Sequence, residues 1–168
     1  MEWFIARLND PDKKPFGKLL SEHAVLLTRL ARARIDIDAA RLIVLNAAIK
    51  IDESAAKGAA KEIAEAKVLV PETALRVIDW AIQAYGGAGV CQDTPLANMW
   101  AQGRVMRIVD GPDEVHLLQL GRNENKRGKF ERELLQRQRE CSDALFAKYG
   151  MQKIDPLQLD RTMIKSKI

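Results

Sequence analysis

IAEAKVLVPETALRVIDWAIQAYGGAG, residues 63 to 89, carries the pattern that decides the fold. Ile63, Ala66, Val70, Ala74, Val77, Ala81 and Ala84 recur at steps of 3 and 4, the signature of one face of an α-helix. Their small size lets a partner helix approach closely. The spacing predicts a helix from about Ala55 to Tyr85. Pro71 lies inside the stripe and lacks an amide hydrogen, so it must kink the helix or restart it. The stripe stays in phase across it, which favours a kink. Gly86-Gly87-Ala88-Gly89 then ends the helix, since glycine adopts the positive φ that a helix terminus often needs.

Working outward, Leu20, Leu27, Leu30, Ile37, Val44 and Ile51 predict a helix from about Gly17 to Asp52, with Ile35, Leu42 and Ile49 widening its apolar face. A face that wide should meet more than one neighbour. Asp52-Glu53-Ser54 and Gly58 interrupt it. A short helix fits Pro95 to about Arg107, and a last long one begins at Pro112-Asp113-Glu114, favourable first-turn residues. Its continuation places Phe130, Leu134, Cys141 and Leu145 at steps of 4 and 7 on a charged, amphipathic segment. The Asn9-Asp10-Pro11-Asp12 turn marks the first dozen residues as irregular and loosely held. The expected organisation is an irregular lead over 1–12, an up-down helical bundle over 13–128, and an amphipathic extension and tail over 129–168.

Composition agrees with an all-α fold. The chain has 168 residues, 47% hydrophobic and 30% charged, with aromatics at only 5%. That suffices for one core built from good helix formers. Cys91 and Cys141 are too few for a disulfide framework and have no metal-ligand spacing, which favours a reducing compartment over secretion. No apolar run reaches the length of a membrane span, and Met1–Arg7 lacks the apolar core of a signal peptide. The chain closes on Ser166-Lys167-Ile168, which differs from the peroxisomal Ser-Lys-Leu only in its last residue and reads equally as an ordinary basic tail. A net charge of +4 would suit an anionic ligand. Much of the excess, however, alternates with glutamates between Arg122 and Arg139, as on a solvated helix face, and no nucleic-acid partner is expected.

Local chemistry is less decisive. Gly87-x-Gly89 lacks the preceding strand, third glycine and following helix of a dinucleotide fingerprint. It reads either as a helix cap or as a turn whose amides meet a phosphate. Asp110 before Gly111-Pro112 suits a turn, and Asp113 and Glu114 suit a helix start. His23 and His116 stand apart from each other and from the cysteines, so no metal site is expected. No nucleophile triad presents itself.

Three ordered blocks change this reading. Lys13-Lys14-Pro15-Phe16-Gly17-Lys18-Leu19-Leu20-Ser21-Glu22-His23, Gln83-Ala84-Tyr85-Gly86-Gly87-Ala88-Gly89 and Arg107-Ile108-Val109-Asp110-Gly111 resemble the C-terminal helical domain of the acyl-CoA dehydrogenases. Asp79-Trp80-Ala81-Ile82-Gln83, Asp93-Thr94-Pro95-Leu96-Ala97-Asn98-Met99 and Asp110-Gly111-Pro112-Asp113-Glu114-Val115-His116 are most similar to the branch that is kinase-fused in animals and peroxisomal in plants. The resemblance implies FAD as cofactor and acyl-CoA thioesters as substrate, oxidised to trans-2-enoyl-CoA. It implies Asp110 as the catalytic base. It further implies Phe16 as an aromatic contact to the cofactor across a subunit interface, and Lys13, Gln83, Gly86 and Gly87 as cofactor-binding residues.

Two departures from the family pattern stand out. Aspartate replaces the usual glutamate, shortening its reach by roughly 1.5 Å, and Lys13 replaces an arginine, keeping the charge but losing the bidentate fork. The family's N-terminal helical and middle β-domains do not fit before Lys13. The expectation is therefore a C-terminal domain that supplies the base and part of the FAD site, incomplete alone and completed by a homo-oligomer or by the missing domains. The alternative is a non-catalytic helical oligomerisation module. The implied compartment is the peroxisome or mitochondrial matrix, otherwise the cytoplasm.

Overall fold

Alanines set how closely the two longest helices pack. In the computed structural model, which describes residues 1–151, the chain turns its smallest residues inward along α2 (Ala24–Gly58). Its buried line is Ala33, Asp36, Ala40 and Ala47. Against it lies α3 (Ala60–Tyr85), burying Ala64, Pro71, Thr73, Leu75, Val77 and Ala81. The two run antiparallel. Leu26 and Leu30 pack by Ala81, Asp36 meets Arg76 farther along, and Val44 faces Val70 at the other end. Asp36 is only 8% exposed, accepts from Arg76 at 2.9 Å and is ion-paired with Arg32 at 2.9 Å, so its charge enters the interface with two partners.

From α3 the chain turns through Gly86–Val90, in 3-10 conformation, into α4 (Leu96–Val105). Leu96 joins Ala81 in the core, and a Cβ on Gly103 would stand 3.2 Å from Leu75 Cδ2. Lys67 then reaches the Met106 carbonyl. These contacts descend α3 as α4 proceeds, so α4 is antiparallel to it. The expected all-α, up-down arrangement is what the described residues form, with no strand among them. The helix continues through Pro71 without restarting, and Pro71 itself is buried.

The N-terminal expectation is corrected. Residues 2–8 are not an irregular lead but a helix, α1 (Glu2–Leu8), whose Phe4 and Leu8 are both 0% exposed and form the core cluster with Ala81 and Leu96. Seven residues are too few for periodicity to speak, but Phe4 and Leu8 lie one turn apart on one face. Glu2 and Arg7 sit at the ends favoured by the helix dipole. The turn at 9–12 does form, closed by Asn9 Nδ2 donating to the Ile5 carbonyl and by the Asp12 amide donating to Asp10 Oδ1.

Helix boundaries also move. The expected start at Gly17 fails because Phe16 and Gly17 both take positive φ, 58° and 77°, and residues 15–22 form two 3-10 turns before α2 begins. Ala55 leaves helical geometry at φ 56° inside α2, and α3 begins at Ala60, a few residues after the expected start near Ala55. The second apolar line of α2 does not face the core of this chain: Ile35, Leu42 and Ile49 are 59%, 66% and 55% exposed. One compact unit covers Met1–Arg122, and a second begins at Asn123. α5 (Asp113–Asn125) starts at the expected place. In the second unit, α6 (Gly128–Lys148) leaves Phe130, Leu134 and Leu145 exposed. Ser166-Lys167-Ile168 lies outside the described residues.

Candidate functional site

The turn after α3 is built by glycines with different duties. Gly86 caps the helix at φ 63°, a region costly for side-chain-bearing residues. Gly89 is buried, and a Cβ there would stand 2.5 Å from the Ile82 carbonyl oxygen. Gly87 is exposed, with nothing within 4 Å of an added Cβ, so its backbone is open to a ligand. Thr94 Oγ1 and Cys91 Sγ donate to the Ala88 and Gly87 carbonyls, both at 3.2 Å. Gly89→Ala should destabilise the fold by about 1–3 kcal/mol, because the clash is with backbone that cannot swing aside. Denaturant unfolding will measure this, with Gly87→Ala as a control expected near wild type.

Beside this turn a groove of about 330 Å³ is lined by Arg7, Asp12, Lys13, Lys14, Gln83 and Gly86 among others. The structure thus brings Lys13, Gln83 and Gly86 together. Phe16 projects close by in sequence, 96% exposed on a left-handed backbone, an unusual state for a bulky residue. Sequence reasoning missed Arg7, because α1 was not foreseen. Its Nε donates to the Ala84 carbonyl at 3.0 Å, its guanidinium pairs with Asp10, and it sits 5.1 Å from the centre of the Tyr85 ring. A guanidinium at a helix C-terminus satisfies an orphan carbonyl and offsets the dipole. The groove's cations, exposed Gln83 amide and open glycine backbone suit an anionic diphosphate group.

Asp110 lies elsewhere. Its loop follows α4, which returns antiparallel along α3, and meets that helix through Lys67, a residue about 27 Å along α3 from Tyr85 by the helical rise. Asp110 has φ 56° and Gly111 φ 101°. Aspartate tolerates the left-handed region better than most residues. Its side chain is exposed, and among the described residues no hydrogen bond or ion pair engages its carboxylate. The loop around it is fixed. Arg107 Nε donates to the nearly buried Asp113 at 2.5 Å, a hydrogen bond that raises the Arg107 pKa above its ordinary value. Lys67 Nζ donates to the carbonyls of Met106 at 2.6 Å and Gly111 at 3.3 Å. A lysine on the apolar stripe between Ile63 and Val70 was the signal in the sequence that could have flagged this contact. No helix among the described residues is long and apolar enough to cross a membrane.

Residues 11–124 match the family model "Acyl-CoA dehydrogenase, C-terminal domain". Acyl-CoA dehydrogenase family member 11 of Homo sapiens is 52% identical over 102 residues, 61% of this chain and 13% of that protein. Probable acyl-CoA dehydrogenase IBR3 of Arabidopsis thaliana is 46% identical over 115 residues, 68% of this chain and 14% of that protein. Probable acyl-CoA dehydrogenase FadE2 of Mycobacterium tuberculosis is 46% identical over 114 residues, 28% of its length. The chain therefore spans about a seventh to somewhat over a quarter of these relatives. Among solved structures, butyryl-CoA dehydrogenase from Megasphaera elsdenii superimposes with a TM-score of 0.65 at 28% identity, over 71% of this chain and 30% of that one. With the helical order, the glycine turn and the Asp110 loop all in place, the chain belongs to the acyl-CoA dehydrogenase family, of which it carries the C-terminal helical domain.

Proposed function

We propose that this domain supplies the base and part of the cofactor site of a FAD-dependent acyl-CoA dehydrogenase, and that it is catalytically incomplete alone. The observation that carries the reading is Asp110: a carboxylate on a pinned loop, exposed and unengaged. Asp110 takes the α-proton of the acyl thioester. Bound FAD supplies a hydride acceptor for the β-hydrogen, which balances the oxidation to the 2-enoyl product. A proton-abstracting carboxylate works best with its pKa raised by a water-poor setting. Exposed as it is, Asp110 must gain that setting from other parts of the assembled enzyme.

At the opposite end of α3, Lys13, Gln83, Gly86 and Gly87 hold the diphosphate half of FAD, and Phe16 lies against a cofactor shared across a subunit interface. The separation along α3 supports this division: the turn and the base of one chain serve different sites of an oligomer. The exposed apolar line Ile35, Leu42 and Ile49 on α2 favours a second role in the same assembly, helix-on-helix oligomerisation. Light scattering is expected to show a dimer or larger species. A monomer at all concentrations would remove that role.

A chimera tests the catalytic reading. Residues 11–124 replace the matching segment of the Mycobacterium tuberculosis relative. The chimera is expected to purify with flavin absorbance and to reduce a dye with acyl-CoA, while the chain by itself turns over none. A chimera that holds FAD and oxidises no acyl-CoA would overturn the assignment of the base. Turnover by the isolated chain would overturn its incompleteness.

A further inference from the structure

We propose that Lys67 is a positioning residue for Asp110, holding the loop that carries the base to the body of the bundle. This rests on the reading of Asp110 as base.

α4 ends at Val105, and turn hydrogen bonds carry on to Val109, whose amide donates to the Val105 carbonyl at 3.0 Å. The two consecutive positive-φ residues 110 and 111 then carry the chain away from any regular hydrogen-bond ladder. Lys67 bridges this gap from a different helix. Its ammonium donates to Met106 and to Gly111, 39 and 44 residues away in sequence, at 2.6 and 3.3 Å. These two carbonyls bracket residues 107–110, so a single cation closes the mouth of the loop.

A charged donor makes each bond stronger than a neutral pair would, and a cation near a helix C-terminus is favoured by the dipole. Lys67 is half-buried on α3 between Ile63 and Val70, a setting in which a lysine's aliphatic stem can cover apolar surface while its head reaches polar partners. The Arg107–Asp113 pair staples the loop to the start of α5. It joins the two ends of the loop to each other and not to α3, so it fixes the loop's shape. Among the described residues, the two Lys67 hydrogen bonds tie that shape to α3. Removing it frees Asp110 to drift relative to the helices that frame the substrate, and misplacement of a reacting group by about 1 Å can cost around a hundredfold in rate.

The test has two arms. In this chain, Lys67→Met should speed hydrogen exchange of the Ile108 and Val109 amides about tenfold or more, while the amides of residues 81–85 at the far end of α3 exchange as before. In the chimera, Lys67→Met should lower kcat by about 10- to 100-fold, with KM and bound flavin little changed, and Lys67→Arg, which can still donate to both carbonyls, should recover most of the loss. Unaltered exchange at 108 and 109 would overturn the clamp. Faster exchange with an unchanged kcat would overturn the positioning role, as would a loss of kcat that Lys67→Arg does not relieve at all. Exchange is read without catalysis, so a failure of the clamp is distinguished from a failure of Asp110 as base, which Asp110→Asn reports separately.

Discussion

Asp110→Asn in the chimera is expected to slow flavin reduction by acyl-CoA by about 10²–10⁴-fold, the usual contribution of a positioned general base. The substitution isolates proton acceptance. Asparagine has nearly the same shape and also tolerates positive φ, so the backbone at φ 56° should persist, and the Lys67 and Arg107 contacts do not involve the altered carboxylate. Bound FAD should be unchanged because the diphosphate groove lies at the other end of α3. Single-turnover flavin reduction is the measurement, since it separates chemistry from reoxidation. Retention of more than about a tenth of the rate would sink the assignment, because the remaining effect would be too small for a base. Asp110→Glu is the informative companion. It adds roughly 1.5 Å of reach, but it places a longer side chain on a left-handed backbone, at a cost of about 1 kcal/mol. Activity with reduced thermal stability is therefore expected.

Why the two turns were readable and the core only partly so follows from what each pattern reports. Gln83 to Gly89 and Asp110-Gly111 are backbone-determined: positive φ at Gly86 and Gly111 and the tight approach of Gly89 to Ile82 leave little choice of residue. The stripe of α3 was legible in part: Val77 and Ala81 are buried and its other members half-buried, while the buried Ala64, Thr73 and Leu75 fall off it. On α2 the same reasoning selected Leu27, Val44 and Ile51, all at least two-fifths exposed, and passed over the buried Asp36 and Ala47. Periodicity of large apolar residues reports every surface a helix covers, including one this chain leaves open. A close helix pair within the chain selects small residues, whose hydrophobic signal is weak. Residues joined only by tertiary contact, Lys67 with Gly111 or Arg7 with Ala84, leave no local trace beyond a charge in an apolar stripe.

Phe4→Ala is expected to destabilise the chain by about 3–5 kcal/mol, the range for truncating a buried aromatic. The full range applies because Phe4 is completely buried, and it and Leu8 are the two largest side chains of the described residues with under 2% exposure. Its removal empties the point where α1, α3 and α4 meet, through Ala81 and Leu96. The small residue Ala81 cannot collapse into the space, which keeps the cavity term large. The consequences should reach the groove. Arg7, on the same short helix, holds the Ala84 carbonyl and lies over Tyr85, and Trp3 packs 6.0 Å from that ring. Undocking α1 therefore strips the cap from the end of α3 just ahead of Gly86. Urea titration followed by circular dichroism gives the global change, and hydrogen exchange of the α1 amides gives the local one. Trp3→Ala is the control: Trp3 is 42% exposed, so its loss should cost well under half as much. If Phe4→Ala shifts the midpoint no more than Trp3→Ala does, residues 1–8 are not part of the core, and the loosely held lead expected from the Asn9-Asp10-Pro11-Asp12 turn would be the correct description after all.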